Sequence, residues 1–108
     1  MALQVAELSL ELIETLRPLV PRIKARDKSL ADQITRAASS IALNVGEAEL
    51  SDPGNRRARF FTAAGSAGET YSAVRVAIAW RYLAATDGEP AVALLKRIVA
   101  ILWKLTRG

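Results

Sequence analysis

Five polar residues, Gln33, Arg36, Ser40, Asn44 and Glu47, recur every three or four positions in a chain of 108 residues. That spacing puts them in one stripe along a helix. An ordinary solvated stripe mixes Lys with Glu. This one has two amides, a hydroxyl, a guanidinium and a carboxylate, groups suited to fixed hydrogen bonds. Ser66 and Glu69 lie downstream in a second helical stretch. Asn44, Glu47 and Glu69 offer oxygen atoms that a divalent cation takes. Alternatively, Gln33, Arg36, Asn44, Glu47, Ser66 and Glu69 form a hydrogen-bonded seam between two helices and need no ion. The seam is the commoner arrangement, so the stripe is read as structural, with no metal.

Catalytic chemistry is poorly provided for. The chain has no histidine and no cysteine. It therefore lacks the usual general base, the commonest metal ligand and any thiolate nucleophile. No pair of carboxylates has the separated environments that acid–base work requires. Gly65 to Gly68 falls inside a helical pattern rather than between a strand and a helix, so it is not a phosphate loop. We expect no enzyme and no cofactor.

Charge is more informative. Fifteen Lys and Arg face eleven Asp and Glu, for a formal net charge of +4. The cations gather in three groups. Arg22, Lys24, Arg26 and Lys28 fall in a connection, with Arg17 ahead of it at the end of a helix; the connection is also readable as a plain solvated loop. Arg56, Arg57 and Arg59 open a helix. Lys96, Arg97, Lys104 and Arg107 share one side of the last helix. All three suit a polyanion backbone, and repetition in an assembly makes weak phosphate contacts useful. Tyr71, Tyr82, Phe60 and Phe61 fit core positions, which leaves little for base stacking. The expected mode is therefore contact with RNA or DNA backbone and shape.

Four helices must position these groups. The first runs from Leu3 to about Val20, with Pro18 ending or kinking it near Arg17. The connection spans 22–28. The second helix runs from about Ser29 to Ala48, capped by Asp27 or Ser29, with Leu30, Ile34, Ala37, Ala38, Ile41, Val45 and Ala48 on its apolar face. The third starts at Pro53 behind a polar cap and continues to about Ala85. Thr86-Asp87-Gly88-Glu89-Pro90 has the composition of a turn, and the fourth helix follows from Pro90 to about Thr106. Its apolar residues cover roughly 200°, where a bundle core needs a stripe only somewhat wider than 100°. Such an excess marks an interface. Leu94, Ile98, Ile101 and Leu105, with Trp80 from the third helix, are the expected contacts with a neighbouring subunit. The order favours an all-α, antiparallel up-down four-helix bundle in one domain over 1–108, assembled as a homo-oligomer.

The acidic, amphipathic N-terminus does not read as a signal peptide. The longest strongly apolar run, Ile98 to Trp103, is far shorter than the roughly 20 residues of a membrane span. A cytoplasmic chain with no membrane partner is expected.

Leu30, Gln33, Arg36-Ala37-Ala38, Ser40-Ile41, Asn44 and Glu47, followed by Phe60-Phe61, Gly65-Ser66 and Glu69, carry a resemblance. They are similar to the bacterial four-helix-bundle family of 23S rRNA intervening-sequence (S23-type) proteins and retroelement accessory variability determinants. Ala42 stands where the family commonly has Pro. Asn44-Val45-Gly46-Glu47-Ala48 replaces a frequent Asn-Ile-Ala-Glu-Gly, and Glu49 to Asn55 is less Lys-rich. The resemblance implies a ring-like homopentamer with a basic outer surface. In its retroelement members it implies binding to a reverse transcriptase and nucleic acid. The expected role is a non-catalytic, oligomeric nucleic-acid-binding accessory protein. The alternative is an oligomeric scaffold for protein partners with no nucleic-acid role.

Overall fold

The computed structural model describes residues 2–107, and these are all-α. Five helices follow in order: α1 (Ala2–Leu16), α2 (Val20–Lys24), α3 (Lys28–Glu49), α4 (Pro53–Ala79) and α5 (Ala85–Arg107). The molecule is elongated, 42 × 21 × 19 Å. α3 packs on α4, α4 on α5, and α1 lies against both α3 and α5. One cluster of buried side chains runs through all of them, including Leu12, Ile34, Ile41, Phe60, Val74, Leu95, Ile98 and Leu102.

Local chemistry sets the starts. Asp27 caps α3, its Oδ1 accepting from the Leu30 N–H at 3.0 Å. Asp52 caps α4 in the same way through the Asn55 N–H at 3.0 Å, with Pro53 at the first helical position. A capping carboxylate satisfies one of the N–H groups a helix start leaves unpaired. α1 stops at Leu16, just before Pro18, as the missing proline N–H requires.

Two connections differ from the sequence reading. The basic stretch after α1 is not a continuous loop. Pro21 sits in the first turn of the short helix α2, where proline is tolerated, and Ile23 is fully buried between Arg22 and Lys24. The turn between the last two long helices is also displaced. α4 ends at Ala79, and the expected turn at Thr86 to Pro90 is already helical. Arg81 takes a left-handed φ of 63°. The Tyr82 N–H bonds the Ala77 carbonyl and the Arg81 N–H that of Ile78, both at 2.9 Å. This is the Schellman closure, usually built on glycine. Gly88, which reads as a turn residue, is buried where α5 crosses Ile78. A Cβ on it would lie 2.6 Å from Ile78 Cδ1.

The apolar arc of α5 is mostly used within the chain, which corrects the expected subunit contact there. Ile98 is completely buried and Leu94 is 9% exposed, so neither can face a neighbour. The cause is that α5 meets two helices, α4 and α1, and fills an arc wider than one neighbour would need. Ile101 and Leu105 are half-buried against the same core. Trp80 is 67% exposed in the α4–α5 turn.

Among the described residues, no helix is long and apolar enough to cross a membrane.

Candidate nucleic-acid interface

The outer side of α5 carries Lys96, Arg97, Lys104 and Arg107, all exposed. From Pro90 to Arg107 the helix has no carboxylate. Its periodicity forces this arrangement: Leu94, Leu95, Ile98 and Leu102 turn inward, so positions 96, 97, 104 and 107 turn out. The start of α4 lies beside its last turn. Arg57 Nε donates to the Thr106 carbonyl at 2.9 Å, which satisfies one of the unpaired carbonyls at the helix end and suits its negative dipole. Arg56 stands next to it, exposed, with its guanidinium 5.8 Å from the centre of the Phe60 ring.

Other expected phosphate contacts are partly engaged. Arg59 pairs with Glu47 at 2.9 Å and Arg22 with Asp87 at 2.9 Å. Both pairs are half-exposed, so each contributes little to stability. Arg26 lies over the Tyr82 ring at 5.6 Å, and Lys24 is exposed. The Arg22 to Arg26 group sits beside the α4–α5 turn, through Arg22–Asp87 and a Tyr82 hydroxyl contact to Asp27. The Arg56–Arg57 group sits at the opposite end of α3, about 33 Å away for a helix of 22 residues. The two groups are therefore separate patches, with Lys96 and Arg97 between them along α5.

The polar stripe of α3 does face α4. Ser40 Oγ and Ser66 Oγ are 2.8 Å apart, and Asn44 Nδ2 donates to Ser40 Oγ at 3.1 Å. Gln33 Nε2 reaches Glu69 Oε1 at 3.4 Å, while Glu47 holds Arg59. Arg36 does not join: its Nε contacts the Asp32 carbonyl within α3 at 3.4 Å. The oxygen atoms of Asn44, Glu47 and Glu69 are spread along the seam rather than gathered at one point. Among the described residues, no three carboxylates stand together to hold a metal ion.

A second feature lies on the other side of α3. A cleft of about 250 Å³ is lined by Ile13, Leu16 and Val20 from one wall and Ile34, Thr35, Ala38 and Ser39 from the other, with Arg17 at its edge. Helical spacing continues the walls outward, from Ile13 to Leu10 and Leu3 on α1 and from Ser39 to Leu43 on α3, with Leu50 just past the end of α3. Those four leucines are exposed, by 54% at least.

The family model for the 23S rRNA-intervening sequence protein matches residues 1–104. The chain belongs to that family. The fold is also that of a crystal structure described as a protein with unknown function from the S23 ribosomal protein family, from Bacteroides thetaiotaomicron VPI-5482. The TM-score is 0.88 at 22% identity, over 96% of this chain and 99% of that one. No curated protein matches this sequence.

The sequence reading missed two side chains in this region. Phe61 fits a core position by sequence, but of the two phenylalanines only Phe60 is buried; Phe61 is 51% exposed and Trp103 52%. Adjacent aromatics on a helix point about 100° apart, so Phe60 and Phe61 could not both face one core. That was the available signal. Trp103 follows the buried Leu102 and faces the same side as Lys96 and Arg107.

Proposed function

We propose that this family member is a non-catalytic nucleic-acid-binding accessory protein: a single-domain four-helix bundle of the cytoplasm that works as a ring-like homo-oligomer. The observation that carries the reading is the outer side of α5, four cations with no carboxylate on the helix beyond Glu89, extended at one end by Arg56 and Arg57. Of the fifteen Lys and Arg, only four lie within 4.0 Å of a carboxylate among the described residues: Arg17, Arg22, Lys28 and Arg59. The others have no carboxylate within that distance among the described residues, which favours an external anion as their partner. A run of such cations suits phosphate contacts that position a polyanion without reading its sequence. The carboxylates of the α3–α4 seam are tied to Arg59 and Gln33, which favours a structural role for them.

Assembly is supported by the leucines flanking the α1–α3 cleft. Exposed apolar surface of this kind usually marks a contact. A second copy of the chain is the proposed occupant, and five copies are what the family resemblance implies. Support of a reverse transcriptase is the corresponding role for such an assembly.

The test is binding of nuclease-treated protein to a structured RNA and a duplex DNA across a salt series. Binding should weaken steeply with salt. Replacing Lys96, Arg97 and Lys104 by Ala should lower the slope of log K against log salt by about 0.7–0.9 for each phosphate no longer neutralised. No binding at low salt would remove the reading and leave the protein-scaffold alternative.

A further inference from the structure

We propose that Trp103 and Phe61 form a stacking platform for unpaired bases, so that the end of the molecule where α4 starts and α5 stops takes single-stranded nucleic acid. The proposal rests on the nucleic-acid reading above and specifies its ligand. Its basis is a connected set of contacts. The Arg107 guanidinium lies over the Trp103 ring, 4.3 Å from its centre. The Arg57 guanidinium lies 5.7 Å from the Phe61 ring centre. Arg57 also donates to the carbonyl of Thr106, the residue before Arg107. Two half-exposed rings and two guanidiniums therefore belong to one patch, with Arg56 and Lys104 beside it.

Each part has a role a single strand would use. A guanidinium lies over one face of each ring, so a base would stack on the other face, and such stacking is tolerant of sequence. A guanidinium held on a ring can still turn N–H groups to phosphate oxygens; Arg57 spends its Nε–H on the Thr106 carbonyl and has only its terminal amino groups for this. Duplex ends aside, paired bases hide their faces, so rings of this kind gain nothing from duplex while the cations gain from both. A second copy of the chain is a poor occupant for a symmetric contact. It would bring two sets of four cations together, and like charges across an interface are costly. Charge thus favours a polyanion, and the rings favour one with exposed bases.

The experiment uses the whole chain and oligomers of uridine RNA and thymidine DNA of about 12 nucleotides, within the range of small single-strand sites. A duplex of equal length and a poly-glutamate peptide are the comparisons. Trp103→Ala and Phe61→Ala should each weaken single-strand binding roughly 5- to 100-fold, the usual effect of losing one stacked ring. Duplex binding and the salt slope should hold. In a Trp80→Phe background, emission from Trp103 should be quenched by the oligomers and not by duplex. Trp103→Phe should restore most of the affinity. Preference between the two oligomers identifies the sugar carried, and either result supports the platform. Unchanged single-strand binding in the ring variants, while the α5 cation variant no longer binds, would overturn the platform and leave the nucleic-acid reading standing. Absence of binding to every nucleic acid would overturn both. Loss of oligomeric mass in the ring variants, or an equal loss of poly-glutamate binding, would instead make the patch a protein contact and overturn the platform.

Discussion

The hydroxyl of Ser40 on α3 touches that of Ser66 on α4, Oγ to Oγ at 2.8 Å. Asn44 Nδ2 donates to Ser40 Oγ from the next turn. Two short side chains can meet only where the helices approach closely, so this contact marks a close approach of α3 and α4. Ser66→Ala should cost about 1 kcal/mol, the net value of a typical hydrogen bond. Ser40→Ala should cost somewhat more, because Asn44 is deprived of a partner too. The double variant should fall short of the sum of the singles. Urea titration of the three variants measures the coupling; strict additivity would show that the hydroxyls do not interact.

Gly65 and Gly68 sit in the middle of α4, and an added Cβ on either would meet nothing within 4 Å. Each glycine weakens the helix by about 1 kcal/mol relative to Ala, with no return inside the chain. Gly65→Ala and Gly68→Ala should therefore each raise Tm by about 4–8 °C. Calorimetry alongside a mass measurement checks this. A lower Tm with a smaller assembly would place the outer side of α4, not the α1–α3 cleft, against a neighbouring subunit.

Arg81 carries the left-handed backbone that closes α4. That conformation costs an L-residue roughly 1–2 kcal/mol and glycine almost nothing. Arg81→Gly should stabilise the fold by about 1 kcal/mol, seen as a higher urea midpoint at unchanged m-value. Arg81→Val should destabilise it. A lower midpoint for the glycine variant would mean that the Arg81 side chain contributes more than its backbone costs.

Asp52 accepts from both the Asn55 N–H and the Asn55 side-chain amide. The backbone bond first, then the side-chain bond, holds its carboxyl below the usual aspartate value of 3.8. A depressed carboxylate contributes stability above that value, and the contribution is lost as pH falls through the folded-state pKa. Asp52→Asn keeps a capping oxygen and removes the charge. Stability near neutral pH should change little, and the acid side of its pH profile should flatten. An unaltered acid profile would show that the cap does not titrate with folding.

Leu43 is 66% exposed and Ile98 is fully buried, so the same substitution should act differently at each. Ile98→Glu buries an unpaired charge and should unfold the chain. Leu43→Glu should leave folding within about 0.5 kcal/mol of the parent and reduce the mass of any assembly that uses the α1–α3 cleft. Sedimentation and circular dichroism separate the two effects. An unchanged mass would remove that surface from the interface.

The long helices were legible because apolar spacing is a strong signal: Leu30, Ile34, Ile41 and Val45 repeat on one side of α3, and all are buried. The Asp27 and Asp52 caps were legible for the same kind of reason, a short polar acceptor before a helical pattern. What failed was local. Ile23 is one apolar residue among cations and gives no periodicity of its own. The end of α4 has no Gly or Pro to announce it, because Arg81 supplies the left-handed turn. Gly88 carries the composition of a turn but serves a helix crossing. In the candidate interface, cation positions followed from sequence, but their partners did not. Nothing in the spacing of Arg59 and Glu47, or of Arg57 and Thr106, shows that they meet.

Asp27 has two duties: one oxygen caps α3, and the other accepts from the Tyr82 hydroxyl at 3.4 Å, across 55 residues of chain. Arg26 covers the same tyrosine ring, and Arg22 reaches Asp87. The first turn of α3 and the loop between α4 and α5 therefore meet on one carboxylate. Fraying of either should loosen the other, and amides of both segments should exchange with solvent faster in Asp27→Ala.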